Sequence, residues 1–387
     1  MTDKRPSSMP PDRSVTIDLQ RKKLRGAVTQ ADEVVRASIY GVRRAAAPYV
    51  TMTRIALSQL RRNRLARLGG LVLAVFVALA AFADLLASDL PVLTRWHGTV
   101  YVLPDVVHPA ALEGVTCTSM RAARADGDWM IPPLVAYGPE EPTTDILVPP
   151  LRAGHPLGTD VHGHDVFART VHGARTALGL GLVASVVLVV LGVALGGLAG
   201  FVGGGIDALI TRAVEAFTAI PTLVLVLIVC ALVPHPTTAT VLWTIALTRW
   251  TDLARLVRAE VLLALSADYV MAARALGASP WRVLRRHVLP NAIAPAIVAA
   301  AFGIASVVLI QAAVEFLHVG PESTMASWGE LLAEARGHAN AWWLMAFPGF
   351  ALFAMLVSLN LIGEAARDAL DPRLRDAGGE LTEAMRS

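Results

Sequence analysis

Charge is scarce in this chain and lysine is nearly missing. Only 17% of the 387 residues are charged, against about 25% in an ordinary soluble domain. The 34 basic residues include three lysines (Lys4, Lys22, Lys23), all near the start. A phosphate-cradling loop needs a lysine behind its glycines to reach the nucleotide, so no ATPase site of that type is expected. The two cysteines lie in unlike surroundings, Cys117 in a polar region and Cys230 in an apolar run. No disulfide between them is expected, and they imply no redox compartment. Residues 1–60 hold no long apolar stretch, so a cleaved signal peptide is not expected either.

What is abundant is apolar surface. Hydrophobic residues make up 55% of the chain, mean hydropathy is +0.54, and the apolar residues fall in long runs. About 20 helical residues cross 30 Å of hydrocarbon. Six segments are long enough: 68–87, 176–202, 206–232, 238–257, 292–317 and 342–362. The expected layout is a basic tail at 1–67, a first span at 68–87 and an outer loop at 88–175. A five-helix block at 176–362 and a tail at 363–387 follow. Placing both ends inside puts 26 Lys and Arg in cytoplasmic segments and 7 outside, the bias that sets membrane orientation. The acidic outer loop 88–168 carries no organising motif and reads as filler, with steering of a cationic partner patch as the other reading. Gly192, Gly196 and Gly200 repeat every four residues on one helix face, which permits close approach of another helix.

Between the fourth and fifth spans, residues 258–290 are too polar to cross and too regular for a loose loop. Tyr269, Ala272, Ala273 and Leu276 share the apolar face of a short helix that Ser266 or Asp268 can cap. Gly277 suits the left-handed position that ends a helix. Ser279 and Pro280 then open a second helix, with Trp281, Leu284 and Val288 on one side and Arg282, Arg285 and Arg286 on the other. Pro290 is expected to end it. A short exposed helix with small residues is a shape that fits a partner's groove, although an interfacial linker accounts for the periodicity equally well.

This stretch resembles the loop that binding-protein-dependent ABC importer permeases carry: Glu-Ala-Ala, three residues, Gly, nine residues, then a hydrophobic residue, any residue and Leu-Pro. Here Met271-Ala272-Ala273 precede Gly277, and Leu289-Pro290 fall at the right distance. Met271 replaces the family's glutamate, and His287 stands at its hydrophobic position. A second segment, His155-Pro-Leu-Gly158-Thr-Asp160 through Asp165, Arg169 and Arg175, resembles the signature of the C-type subunit of dipeptide and oligopeptide importers, with His164 in place of the usual arginine. Arg61-Arg-Asn-Arg64-Leu-Ala resembles that subunit's approach to its first span. Gly363-Glu-Ala-Ala-Arg367-Asp-Ala-Leu-Asp371-Pro372-Arg373 resembles its tail.

The resemblance implies an all-α integral membrane protein with six transmembrane helices and a type I importer permease fold, helices two to six forming the core. It implies a multi-pass subunit of a bacterial inner membrane, both termini cytoplasmic. A second permease, ABC ATP-binding subunits and an extracytoplasmic solute-binding protein are its implied partners besides the lipid bilayer; no nucleic acid is implied. No cofactor is bound by this chain, and ATP is used by the partner subunits. Tyr269, Met271, Ala272, Ala273, Arg274, Leu276, Gly277, Ser279, Leu289 and Pro290 would couple to the ATPase. His155, Gly158, Asp160, Asp165, Arg169, Arg175, Arg367, Asp371, Pro372 and Arg373 are subunit-signature positions without an assigned role.

His155, His162, His164 and His172 with Asp160 and Asp165 have the composition of a metal site, but spacing alone gives no convergence, and none is expected. Related importers carry nickel, which is the alternative cargo. Asp160 and Asp165 lack the supporting groups of a catalytic pair. Arg212, Glu215, Arg249, Asp252 and Glu315 lie in or near spans, where ionisable groups are candidates for function; Arg249 lies deepest, the best choice for a cavity or a paired site. An ion-gradient-driven transporter would need internal repeats and midplane ion ligands, and a structural scaffold would need neither.

Overall fold

The computed structural model describes residues 63–123, 125–319 and 325–370. Most of the basic tail, most of the C-terminal tail and the signature positions Asp371, Pro372 and Arg373 lie outside the described residues. Helix α1 (Arg64–Ala81) starts at Asn63, whose side chain accepts from the amides of Leu65 and Ala66, and α2 (Ala83–Leu86) continues it. Then comes a small antiparallel sheet of order β2-β1-β3. Its strands are β1 (Leu93–Trp96), β2 (Thr99–Val102) and β3 (Trp129–Ile131), with Leu93 opposite both Val102 and Ile131. Two short helices, α3 (Pro104–Val107) and α4 (Cys117–Ala122), lie between β2 and β3. Leu90, Leu112 and Met120 form a core there with Trp96, Tyr101 and Met130. The stretch read as filler is therefore a folded subdomain. Short strands broken by turns leave little periodicity to detect.

Helix α5 (Val166–Val202) begins ten residues earlier than the span expected at 176, because the Asp165 side chain caps it through the amide of Ala168. The third expected span is a bent pair, α6 (Gly204–Thr218) and α7 (Thr222–Leu232), meeting at 77°. Pro221 stands at the break, where it lacks the amide that would continue the helix. Helix α8 (Thr238–Leu265) is long, but Arg249, Asp252 and Arg255 interrupt its apolar stretch. Helix α9 (Asp268–Ala275) and α10 (Pro280–Val283) form the turn before α11 (Leu289–Phe316). Helix α12 (Trp328–Ala335) and α13 (Trp343–Leu370) complete the described chain.

Among the described residues four helices are long and apolar enough to span a membrane, five with the bent pair counted as one. Helix α8, the fourth expected span, falls outside that count because charges stand at its middle. The main core joins α5, α8 and α11 through residues such as Leu188, Ile245, Trp250, Val257 and Val307. A second cluster seats α1 and α13 against α5 through Phe76, Ala174, Met355 and Leu359.

Candidate functional site

The turn between α8 and α11 is built as a braced corner. Helix α9 ends as its sequence dictates: Gly277 takes φ +84°, its amide bonds the Arg274 carbonyl at 3.0 Å, and the Ala278 amide bonds that of Ala273 at 3.0 Å. Those two bonds form the left-handed cap that glycine permits. Ser279 caps α10 by accepting from the Arg282 amide, with Pro280 at its first position. The cap of α9 is Ala267 rather than Ser266 or Asp268, and the Ser266 hydroxyl turns back to the Leu263 carbonyl at 2.8 Å.

One further expectation is corrected. Pro290 does not end the second helix: a π-turn at Leu284–Val288 carries α10 into α11, so that Pro280–Phe316 runs as one 37-residue element. Pro290 sits just after the π-turn, in the first turn of α11, where its missing amide removes a bond that the continuous helix would otherwise make. The apolar face of α9, expected to lie open to a partner, is half-buried at Tyr269 and Ala273 and exposed at Ala272 and Leu276. Val270, Val283 and Val288 are buried and tie the corner to the core. Tyr269, Ala273, Leu289 and Pro290 are half-buried, while Ala272, Arg274 and Ser279 are exposed. Met271 is 52%, Trp281 68% and Leu276 89% exposed. Asn291 braces the corner by donating to the Tyr269 hydroxyl at 3.0 Å and the His287 carbonyl at 2.6 Å. The result is a rigid mount with an apolar knob on its outer side, ringed by exposed Arg274, Arg282, Arg285 and Arg286.

The signature segment forms a second constellation at the other end of α5. Gly158 has φ +83°, and a Cβ there would come within 2.5 Å of the Val148 carbonyl oxygen, so no other residue fits the turn. His155 and Asp165 are sealed from solvent, with Nδ1 to Oδ2 at 2.7 Å and the imidazole stacked on Tyr137. Burial pushes the Asp165 carboxyl above its usual value, against the stabilising bonds from the Ala168 amide and His155. Asp160 is the hub. Its Oδ1 accepts from the amides of His162 and His164, each at 2.8 Å. Its Oδ2 accepts from His164 Nδ1 at 3.0 Å and from Arg169. Burial opposes ionisation of Asp160, but the hydrogen bond from His164 and the Arg169 charge outweigh it and hold the carboxyl at about 2.

Arg169 also bonds Glu334 at 3.0 Å and Glu330 at 2.6 Å, fastening α12 to α5. Neither glutamate was singled out in the sequence, although Ser327-Trp-Gly-Glu330 has the spacing of a helix-capping box. Ser327 does cap α12. Burial, then the neighbouring Asp160, raise the Glu334 carboxyl. Arg175 clamps the end of α1 by donating to the Ala80 carbonyl at 2.9 Å and bidentately to Asp84. His172 bonds the Ala87 carbonyl. These side chains are spent on structure, and among the described residues no group of three or more His, Cys, Asp or Glu could hold a metal ion. Arg367 is exposed on α13, Arg212 pairs with Glu215 on the surface, and Glu315 accepts from Ser327 and Gln311.

Comparison with known proteins places this arrangement. Residues 192–376 match the family model described as binding-protein-dependent transport system inner membrane component, and residues 51–95 match the N-terminal transmembrane domain of oligopeptide transport permease C. A dipeptide transport system permease protein DppC of Alkalihalophilus pseudofirmus is 31% identical over 84% of this chain and 91% of that protein. The di/tripeptide transport system permease protein DppC of Pseudomonas aeruginosa is 38% identical over 64% of this chain and 83% of that one. Among solved structures, the inward-facing MetNI methionine ABC transporter overlays with a TM-score of 0.44 at 19% identity, covering 53% of this chain and 98% of that one. With two family models matched and a relative 31% identical over 84% of this chain's length, the chain belongs to the inner-membrane permease components of binding-protein-dependent transport systems, in the branch of the oligopeptide C-type permeases.

Proposed function

We propose that this chain is one of two permeases in an ATP-driven importer of short peptides, and that the α9–α10 corner is where an ATP-binding subunit takes hold. The observation that carries the docking claim is the corner's two-sidedness. Val270, Val283 and Val288 anchor it inward, while Leu276, Trp281 and Met271 are left to water at 89%, 68% and 52% exposure. Large apolar side chains on a rigid mount are anchors for a partner's groove. The spacing from Ala272-Ala273 through Gly277 to Leu289-Pro290 supports the same reading. Met271 stands where the family motif has a carboxylate, so at that position the contact here is apolar.

Peptide cargo is supported by the relatives, named as dipeptide and di/tripeptide permeases. In this reading ATP binding closes the partner subunits, and the braced corner passes that movement into α8 and α11. An extracytoplasmic binding protein delivers substrate to the face carrying the β-sheet and the Arg169 network. The Lys and Arg bias supports cytoplasmic termini and a cytoplasmic corner. The test is retention of the ATP-binding subunits by this chain in solubilised membranes. Leu276→Glu, Trp281→Ala, Ala273→Arg and Gly277→Trp should each lose the ATPase and peptide uptake while the chain still inserts. Undiminished retention by all four would overturn the docking assignment.

A further inference from the structure

The charges in the middle of α8 belong to a cavity that the docking corner does not explain. Helix α7 and α8 are joined by the short loop 233–237. Helix α7 runs 11 residues back from that loop to Thr222, and Arg249 lies equally far along α8, so both stand roughly 16 Å from the same membrane face at 1.5 Å per residue. The broken third span and the Arg249–Asp252 pair therefore meet at the same depth, about half of a 30 Å hydrocarbon layer. Around them is an open cavity of about 260 Å³, lined by Thr218, Pro221 and Thr222 at the break and by Thr248 and Thr251 on α8. A second cavity of about 200 Å³ continues past the same two charged residues toward Leu188 and Phe302.

Broken backbone at membrane depth is tolerated where it lines a water-filled space. The local chemistry is suited to one kind of ligand. The hydroxyls of Thr218, Thr248 and Thr251 donate to helix carbonyls of their own chain, leaving ionic recognition to the pair. Arg249 Nη1 lies 3.0 Å from Asp252 Oδ2, with 33% and 46% of the two side chains exposed. Arg255 secures the other carboxylate oxygen at 2.6 Å.

We infer that this cavity is a substrate-contact point of the translocation path and that it takes zwitterionic main chains, Arg249 receiving the carboxylate and Asp252 the ammonium group of a short peptide. Arg249 and Arg255 share the Asp252 carboxylate while the cavity is empty, and Arg249 and Asp252 each have a counter-charge when a peptide passes. The inference rests on the peptide-importer reading above and adds to it the residues that meet the cargo inside the membrane.

The test uses the assembled transporter, with its second permease, ATP-binding subunits and binding protein, in proteoliposomes and with labelled dialanine as probe. Uptake is compared for R249Q, D252N and R249Q/D252N among complexes that retain the ATPase. A pair that meets substrate predicts at least tenfold lower uptake for each single variant and no recovery in the double. A pair that serves only to neutralise itself predicts recovery in the double, since the cation left without its carboxylate, Arg255, is 59% exposed and not stranded in the bundle. That recovery, or wild-type uptake by the single variants, would overturn the inference alone. Thr218→Cys, nearly isosteric and exposed at the break, keeps the question answerable if the charge variants fail to assemble. In a chain with Cys117 and Cys230 changed to Ser, a water-soluble thiol reagent should modify Thr218→Cys during turnover and block uptake, while Leu247→Cys stays unmodified; an unreactive Thr218→Cys refutes the cavity. An assembled wild-type complex that takes up no dialanine would overturn the peptide reading and this inference with it.

Discussion

Arg169 and Glu334 are 165 residues apart in sequence, yet Nη1 of the first lies 3.0 Å from Oε1 of the second, both side chains nearly sealed from solvent. Asp160 and Glu330 bind the same guanidinium. One cation thus joins the loop before α5, α5 itself and α12. Such a buried hub adds little relative to an apolar core, but removing its centre strands every partner.

Arg169→Ala should accordingly destabilise the outer end of the protein by about 3–5 kcal/mol, the range for breaking a buried ion pair from one side. Arg175→Ala provides the contrast. Its bidentate bond to Asp84 is partly exposed, at 44% and 19%, and exposed pairs contribute ~1 kcal/mol or less. Thermal unfolding in detergent should separate the two variants clearly; equal effects would mean that the Arg169 hub is not held as described.

Acid should act on the same hub through Asp160. Its carboxyl is held at about 2, below the ordinary 3.8. A carboxylate depressed by folding contributes stability that is complete above its unfolded value and disappears as pH falls through the folded one. The loss therefore falls between pH 3.8 and about 2 and amounts to ~2 kcal/mol. Glu334 and Asp165 are raised by burial and shift the balance oppositely, so the Asp160 contribution is isolated by comparison with Asp160→Asn. Trp343, whose indole donates to the Thr159 carbonyl, reports on it: its fluorescence should change across that window in the wild type and not in the variant.

How much of this was legible in the sequence differs between the two ends of α5. The long apolar helices, the cap at Gly277 and Ser279 and the glycine face of α5 follow from local chemistry, and local chemistry sufficed. The sheet at residues 93–131 did not show, because three- and four-residue strands are too short to establish alternation. Glu330 and Glu334 went unnoticed because their importance lies in a partner far along the chain, which no local pattern records. The burial of Val270 beside the Tyr269 face was hidden for another reason. Periodicity marks an apolar face without saying whether this chain or another will cover it. The continuity through Pro290 required a π-turn, whose extra residue shifts the helix phase.

The glycine face of α5 makes a graded prediction. A Cβ on Gly196 would lie 2.4 Å from the Ala254 carbonyl oxygen, and one on Gly192 2.7 Å from the Leu253 Cβ. Helix α8 therefore rests backbone to backbone on α5. Gly179, on the same helix, has nothing within 4 Å of its Cβ position. Gly196→Ala should cost roughly 1–3 kcal/mol by overpacking, and Gly196→Val more. Gly179→Ala should be neutral or slightly stabilising, because alanine favours helix. Thermal stability of the three variants in one detergent decides the matter; a Gly179→Ala loss as large as that of Gly196→Ala would contradict the packing.

Gly277 separates backbone geometry from surface chemistry at the docking corner. Its Cβ position has nothing within 4 Å, yet its φ is +84°, so a side chain here is limited by conformation and not by space within this chain. The left-handed region costs an L-residue roughly 1–2 kcal/mol, least for asparagine and most for β-branched residues. If the bond from Ala278 to Ala273 sets the angle between α9 and α10, ATPase retention should fall in the order Gly, Asn, Ala, Val. The knob of Leu276 and Trp281 would be unaltered in composition, so the decline reports its placement. Size alone predicts a different order, since asparagine is larger than alanine. Retention that follows side-chain volume would show the partner pressing directly on residue 277, and retention that follows left-handed propensity would show that the corner must keep its shape to transmit force.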